Sequence, residues 1–188
     1  MESDLVLPLL RRRWSPRVWD AEHEVAQTEL DALVEAARWA PSAGNSQPWA
    51  FILARRGSPD HDLLVARLAG SSSRWAPDAS ALVVTLCHQH VEGTDWAYSD
   101  YAAYDLGQAV AHLTIQAQAM GLHTRQFAAF DHDGVAADFD VPAHLVVTTM
   151  VAVGAVPPGV PADTPPSYDG AEPRERRDPD DLVWTRPV

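Results

Sequence analysis

The chain has 188 residues, of which 46% are hydrophobic and 21% are charged, which is typical of one folded domain and not of a disordered chain. Its 14 basic and 26 acidic residues give a formal net charge of -12, which argues against binding to nucleic acid or to anionic lipid. The single cysteine, Cys87, excludes an intrachain disulfide and a metal cluster built from cysteines. No apolar run approaches the ~20 residues that span a bilayer, so we expect a soluble, cytoplasmic protein.

The first part of the chain predicts two helices and a small-residue loop. Residues 1–14 are apolar with three arginines at the end, which predicts a helix that Pro16 stops. Thr28 and Asp31 resemble the capping box of a second helix, which Pro41 ends. The loop over residues 42–48 follows.

Next come a short strand over residues 50–54 and a helix over residues 59–68. Residues 81–87 form an apolar, β-branched run that predicts a buried strand. Residues 101–120 carry the longest helical pattern, and Gly121 suits the left-handed position after a helix.

The last third predicts a short strand over residues 127–129, a short helix over 133–139 and a strong central strand over 145–153. Eight of the 15 prolines then lie in the tail, which excludes a regular helix or a central strand there. We expect residues 155–188 to be an extended arm that belongs to the same domain as residues 1–154. Apolar residues 182–184 indicate that the arm docks on another surface.

Helices therefore alternate with a few strands, but without regular βαβ spacing. This order favours a mixed α+β layer fold over a doubly wound sheet. No strand is followed by a G-x-G-x-x-G turn, so a Rossmann nucleotide site is unsupported.

Three segments carry residues suited to binding a ligand. Arg13-Trp14-Ser15-Pro16-Arg17 offers two guanidiniums and a hydroxyl, which can grip a phosphate, although a solvated basic turn has the same composition. Residues 40–49, Ala-Pro-Ser-Ala-Gly-Asn-Ser-Gln-Pro-Trp, let backbone amides approach a ligand, and their amide side chains suit the edge of a heteroaromatic ring. An ordinary connecting loop is the alternative. The third segment, residues 121–131, is either a helix stop or backbone that lies against a cofactor.

A metal site at Cys87-His88-Gln89-His90 is a weaker alternative, because the spacing matches no standard zinc signature. We therefore expect no metal. No serine has the local sequence of a hydrolase nucleophile either.

Taken in order, these motifs resemble the FMN-dependent nitroreductase family. The resemblance covers Arg13-x-Ser15-x-Arg17, the loop over residues 40–49, Asp105-Leu106-Gly107-Gln108-Ala109, Gly121-Leu122 and Phe130-Asp131. It implies a three-layer α+β fold with a central, mainly antiparallel sheet flanked by helices. It also implies a homodimer that exchanges its C-terminal arms and builds two flavin sites at the interface.

The resemblance also implies the residues that bind FMN. Arg13, Ser15 and Arg17 match positions that hold the flavin phosphate and ring, while the loop matches positions that reach the partner's flavin. The backbone N–H of Ala128 is expected to face flavin N5. The full set of expected cofactor-binding residues is Arg13, Ser15, Arg17, Pro41, Ser42, Ala43, Asn45, Gln47, Gln126, Phe127, Ala128, Ala129, Arg174 and Arg176.

The match has two departures. Ala129 stands where the family often has glycine, and the segment of residues 72–74 aligns poorly with a position that commonly binds the flavin.

The activity that the resemblance implies is an oxidoreductase that uses NADH or NADPH to reduce quinones, nitroaromatics or similar planar acceptors by a ping-pong mechanism. No side chain is expected to be an indispensable acid or base. A specialised flavin dehydrogenase in a biosynthetic pathway and a flavin-binding protein without turnover are the alternatives.

Overall fold

A computed structural model describes residues 5–160 and 176–184. Two helices come first, and strands and helices then alternate along the chain. The elements are α1 (Pro8–Arg12), α2 (Gln27–Arg38), β1 (Trp49–Arg55), α3 (Pro59–Ala66), β2 (Ala81–His88), α4 (Ala102–Ala119), β3 (His123–Phe127), α5 (His132–Asp138) and β4 (Leu145–Gly154). Short 3-10 turns lie at Ala43–Asn45, Ser72–Arg74 and Pro179–Leu182.

The four strands form one sheet in the order β1-β2-β4-β3, and every neighbouring pair is antiparallel. The two central strands, β2 and β4, are strongly apolar, as expected for strands covered on both faces, and the edge strand β1 is apolar up to Arg55. The register of β2 and β4 shifts between Thr85 and Leu86, where the hydroxyls of Thr85 and Thr149 lie 2.8 Å apart.

Helices cover both faces of this sheet. Successive side chains of a strand point to opposite faces, and Val83 accordingly packs with α2 and α4, whereas Leu82 and Val84 pack with residues of α3 and α5. The predicted three-layer α+β fold with an antiparallel sheet is therefore confirmed.

Three details of the predicted elements are wrong. The first helix starts at Pro8, where a proline suits the first helical turn, and ends at Arg12 without filling residues 5–14. Helix α2 begins at Gln27, so Thr28 lies inside it; Glu29 instead accepts a hydrogen bond from the backbone N–H of Ala26 at 2.8 Å.

The third error concerns β3. The strand covers His123–Phe127 instead of residues 127–129. Its sequence, His-Thr-Arg-Gln-Phe, is mostly polar, so the apolar pattern missed the strand, although His123 and Thr124 are buried.

Helix α4 has 18 residues and carries the stripe of buried side chains that the sequence predicts, including Leu106, Val110 and Leu113. Within the described ranges, no helix combines the length and the hydropathy that a membrane crossing requires.

Candidate flavin site

Two grooves lie beside α4, and one of them brings together three of the predicted ligand-binding residues. Arg13, Ser15 and Gln126 line a groove of about 440 Å³, which we call the Arg13 groove. Its other lining residues come from α1, α4 and β3: Leu10, Ala111, Thr114, Ile115 and Thr124. The groove thus combines one guanidinium, several hydroxyls and an amide beside an apolar wall. This set fits FMN, because the cation and hydroxyls suit a phosphate and the amide suits the polar edge of the ring.

The segment that carries Arg13 is held against β3. The guanidinium of Arg13 donates to the hydroxyl of Ser15 at 3.1 Å. Between them, Trp14 is buried and meets the ring of His123 edge-on, with ring centroids 5.4 Å apart. Arg125 donates from Nη1 to the carbonyl oxygen of Ser15 at 2.7 Å. The sequence motif is therefore anchored by two residues of one edge strand.

Gln126 connects β3 to α4. Its amide nitrogen lies 3.2 Å from the hydroxyl of Thr114, to which it donates. Both residues line the Arg13 groove, so this bond fixes the distance between its two walls.

The small-residue loop has a backbone that few residues adopt. Gly44, Asn45 and Gln47 have φ angles of 59°, 57° and 49°, all in the left-handed region that glycine and asparagine tolerate best. The loop is stabilised internally, because the N–H of Gln47 donates to the hydroxyl of Ser42 at 3.0 Å. Its side-chain amide also lies 3.3 Å from the amide oxygen of Asn45. Strain of this kind is found mainly at functional sites.

A second groove, of about 320 Å³, separates this loop from the first part of α4. We call it the Tyr104 groove; it is lined by Pro41, Ser42, Ala43, Tyr101, Tyr104, Asp105 and Gln108. Asp105 is buried and accepts a hydrogen bond from the backbone N–H of Ala43 at 2.9 Å. Gln108 lies 3.4 Å from the other carboxylate oxygen and 3.5 Å from the carbonyl of Pro41. The two side chains fasten the loop to the helix.

The two grooves lie along the same helix but apart from each other. Tyr104 and Thr114 are ten residues apart in α4, which corresponds to about 15 Å along a helix that rises ~1.5 Å per residue. One chain therefore brings Arg13, Ser15 and Gln126 together, and it places Pro41, Ser42 and Ala43 at a different position.

The end of β3 is partly buried, and the two residues that follow it are exposed. Phe127 is partly buried and packs edge-on against Trp75, with centroids 5.0 Å apart, whereas Ala128 and Ala129 are exposed. The carbonyl of Ala129 accepts hydrogen bonds from the hydroxyl of Ser72 and from the backbone N–H of Ala69. Ser72 belongs to the segment of residues 72–74, which aligns poorly with the family, and its hydrogen bond supports the backbone beside Ala128.

The three other predicted arginines do not line these grooves in the described part of the chain. Arg17 is exposed and is not among the residues that line either groove. Arg176 is exposed as well, and Arg174 lies outside the described residues.

Sequence reasoning missed the roles of Asp105, Gln108, Arg125 and Ser72 in fixing these segments. The signal for Asp105 was available, since this carboxylate interrupts the buried stripe of α4 and buried carboxylates need partners. Nothing in the local sequence of Arg125 or Ser72 indicates their contacts, which join residues far apart in the chain.

The Cys87-His88 segment makes ring contacts in the structure. His88 lies with its ring 4.6 Å from Tyr98 and 5.4 Å from His144. Burial, together with the charge of His144, lowers the pKa of His88, and burial raises the pKa of the Cys87 thiol. Within residues 5–160 and 176–184, no three histidine, cysteine or acidic side chains cluster to hold a metal.

Comparisons with known proteins agree with the order of the motifs. The model of the Nitroreductase family matches residues 10–81, which include both the Arg13 segment and the small-residue loop. A solved structure described as "the oxidoreductase containing FMN" superposes with a TM-score of 0.77 and 31% identity, over 84% of this chain and 80% of that one. The chain belongs to the nitroreductase family.

Two relatives are similar to this chain over most of its length. A "Putative NADH dehydrogenase/NAD(P)H nitroreductase" of Archaeoglobus fulgidus is 25% identical over 153 residues, which cover 79% of this chain and 83% of the relative. An uncharacterised 15.4 kDa protein of Mycolicibacterium smegmatis is 34% identical over 142 residues, 72% of this chain and 94% of that protein. The expected class, an NAD(P)H-dependent FMN oxidoreductase, agrees with the name of the Archaeoglobus fulgidus relative and with the description of the FMN-containing structure.

Proposed function

We propose that the protein is an FMN-dependent oxidoreductase that takes electrons from NADH or NADPH and passes them to a planar acceptor such as a quinone or a nitroarene. The observation that carries the proposal is the Arg13 groove, where a cation, hydroxyls and an amide converge beside an apolar wall. Family membership and the FMN of the similar solved structure support the choice of cofactor. Bound FMN would supply hydride transfer at its N5 atom.

The residues of this chain have binding and electrostatic tasks in this proposal. Arg13 and Ser15 hold the phosphate through charge-assisted hydrogen bonds. Gln126 and the backbone at Ala128 contact the polar side of the ring, where an N–H donor stabilises negative charge. Among the described residues that line the groove, Arg13 is the one titratable group, which supports a reaction without a side chain as acid or base.

The other half of the site comes, in this proposal, from a second copy of the chain. The Arg13 groove and the Tyr104 groove open beside successive parts of α4, since the first is lined by α4 residues from Ala111 to Ile115 and the second by residues from Tyr101 to Gln108. A two-fold axis that pairs α4 with its copy in antiparallel orientation would place the Tyr104 groove of one protomer beside the Arg13 groove of the other. Pro41, Ser42, Ala43, Asn45 and Gln47 would then reach the partner's flavin.

Exposed apolar side chains support this dimer. Tyr101 and Tyr104 are 61% and 69% exposed in the single chain, and Trp184 of the arm is 90% exposed. Leu10 is also exposed beside the Arg13 groove. Such large apolar residues are typical of surfaces that another protein covers. We propose that residues 182–184 dock on the second protomer and that residues 155–188 form the exchanged arm of one domain with residues 1–154.

The acceptor and the nicotinamide use the same face of the ring in turn, which gives ping-pong kinetics. Stopped-flow mixing tests this proposal. NADH or NADPH should bleach the bound flavin, and menadione or a nitroarene should restore its colour faster than air does. If neither nicotinamide reduces the flavin at a useful rate, the reductase proposal fails, and a specialised dehydrogenase or a flavin-holding protein takes its place.

A further inference from the structure

The edge strand β3 contacts the Arg13 segment with both of its faces. Thr124 and Gln126 line the Arg13 groove together with Arg13 and Ser15. Residues alternate between the faces of a strand, and Arg125 accordingly lies on the other face and is not among the groove's lining residues. There its guanidinium stands 5.0 Å from the centre of the buried Trp75 ring.

From this position Arg125 still reaches the ligand-binding segment. Its Nη1 donates to the carbonyl oxygen of Ser15 at 2.7 Å, across 110 residues of sequence. The hydroxyl of the same Ser15 accepts from Arg13 at 3.1 Å. One guanidinium thus fixes the backbone of a residue whose side chain orients the other guanidinium.

We infer that Arg125 is a positioning residue for phosphate recognition: it holds the Ser15 backbone, and through it Arg13, at the place where the FMN phosphate binds. The inference rests on the proposed function, because it takes the Arg13 groove to be the phosphate site. The Trp75 ring holds the Arg125 guanidinium in place through a cation–π contact. The segment that carries Arg13 and Ser15 is then already ordered before FMN binds. Phosphate binding therefore loses less conformational entropy, which favours tight binding.

The selectivity between FMN and riboflavin tests this inference, since the two differ only in the phosphate. We would titrate the full-length chain with each flavin and follow the quenching of flavin fluorescence. Arg125→Met keeps the length of the side chain and removes its charge and donor groups. Because a hydrogen bond from a charged donor is lost, FMN should bind about tenfold more weakly. Riboflavin affinity should change less than about twofold, since no phosphate is involved.

Three further variants separate positioning from a structural or a direct role. Arg125→Lys keeps a charged donor and should recover most of the selectivity. Arg38→Met removes an exposed arginine that pairs with Glu35 on α2 and should leave both affinities unchanged. In an Arg13→Ala background, Arg125→Met should have a smaller effect, because Arg13 is absent and Ser15 is then the one proposed phosphate ligand that Arg125 still positions.

The inference is overturned if folded Arg125→Met keeps the selectivity of the natural protein, or if its effect is undiminished in the Arg13→Ala background, which would indicate a direct phosphate contact. If Arg125→Met does not fold, Arg125→Gln replaces it, with an amide too short to reach the Ser15 carbonyl and the same expected loss. A natural protein that binds neither flavin would instead contradict the proposed function.

Discussion

Asp105 accepts a hydrogen bond from the backbone N–H of Ala43 at 2.9 Å, across 62 residues of sequence. Asp105 is 2% exposed, so water has little access to its carboxylate and cannot readily take the place of the Ala43 N–H. It joins the first part of α4 to the loop that we propose reaches the partner's flavin. The loop therefore depends on the helix for its position.

Asp105→Ala should destabilise the protein and weaken the binding of both flavins. The N–H of Ala43 would lose its acceptor, and a hydrogen bond to a charged group contributes roughly 1.5–3 kcal/mol. FMN and riboflavin should be affected alike, because the loop is expected to contact the ring and not the phosphate. Thermal unfolding and flavin titration measure the two effects. Asp95→Ala, at an exposed position, is the matched control, and equal behaviour of the two variants would contradict this role of Asp105.

Arg13→Ala should lower the affinity for FMN by one to two powers of ten. The reason is the loss of charge-assisted hydrogen bonds to the phosphate, each worth roughly 1.5–3 kcal/mol, at about 1.4 kcal/mol per tenfold. Riboflavin should bind the variant and the natural protein equally. Calorimetric titration measures both affinities, and Arg38→Ala on α2 serves as the control. If Arg13→Ala leaves the FMN affinity unchanged, the phosphate does not bind in the Arg13 groove.

Ala111→Glu should disrupt the dimer and the flavin site together. Ala111 is an exposed residue of α4 and lines the Arg13 groove, so a charge there would be buried against the second copy of the helix. Sedimentation should show a monomer, and flavin should be lost in the same preparation. Ala137→Glu places the same charge on an exposed alanine of α5, beyond the sheet, and should leave the dimer intact. A dimeric Ala111→Glu variant that retains flavin would exclude the α4 interface.

His61 should make the protein less stable as the pH falls. Burial lowers the pKa of this histidine in the folded state, below its ordinary value of about 6.5. The unfolded chain therefore binds the proton first, so this contribution to stability is complete above about pH 6.5 and is lost as the pH falls through the lower folded pKa. His61→Gln should flatten the dependence of Tm on pH between pH 7.5 and pH 5, relative to the natural protein. His112→Gln, at an exposed position of α4, should leave the slope unchanged; an unchanged slope for His61→Gln would contradict the account.

The sequence predicted the layers better than the contacts between them. Strands β2 and β4 and helix α4 were predictable because their side chains are apolar at the right spacing, as at Val83, Val151 and Leu113. Strand β3 was missed because four of its five residues are polar, two of them buried, and the start of α1 was missed because Pro8 lies inside an otherwise apolar run and occupies the first helical turn.

In the candidate site, too, the sequence predicted the local motifs but not the contacts between distant segments. Arg13, Ser15 and the small-residue loop were predictable from their motifs. The bonds from Arg125 to Ser15 and from Asp105 to Ala43 were not, since each joins segments far apart in sequence and depends on the tertiary packing of β3 and α4.

The central claim is that two protomers complete each flavin site, and sedimentation velocity followed at the visible absorption of the flavin tests it most directly. The account predicts that the absorption sediments entirely with the dimer, at one FMN per protomer. Flavin that sediments with a monomer, or a dimer that carries no flavin when FMN is present in excess, would contradict it.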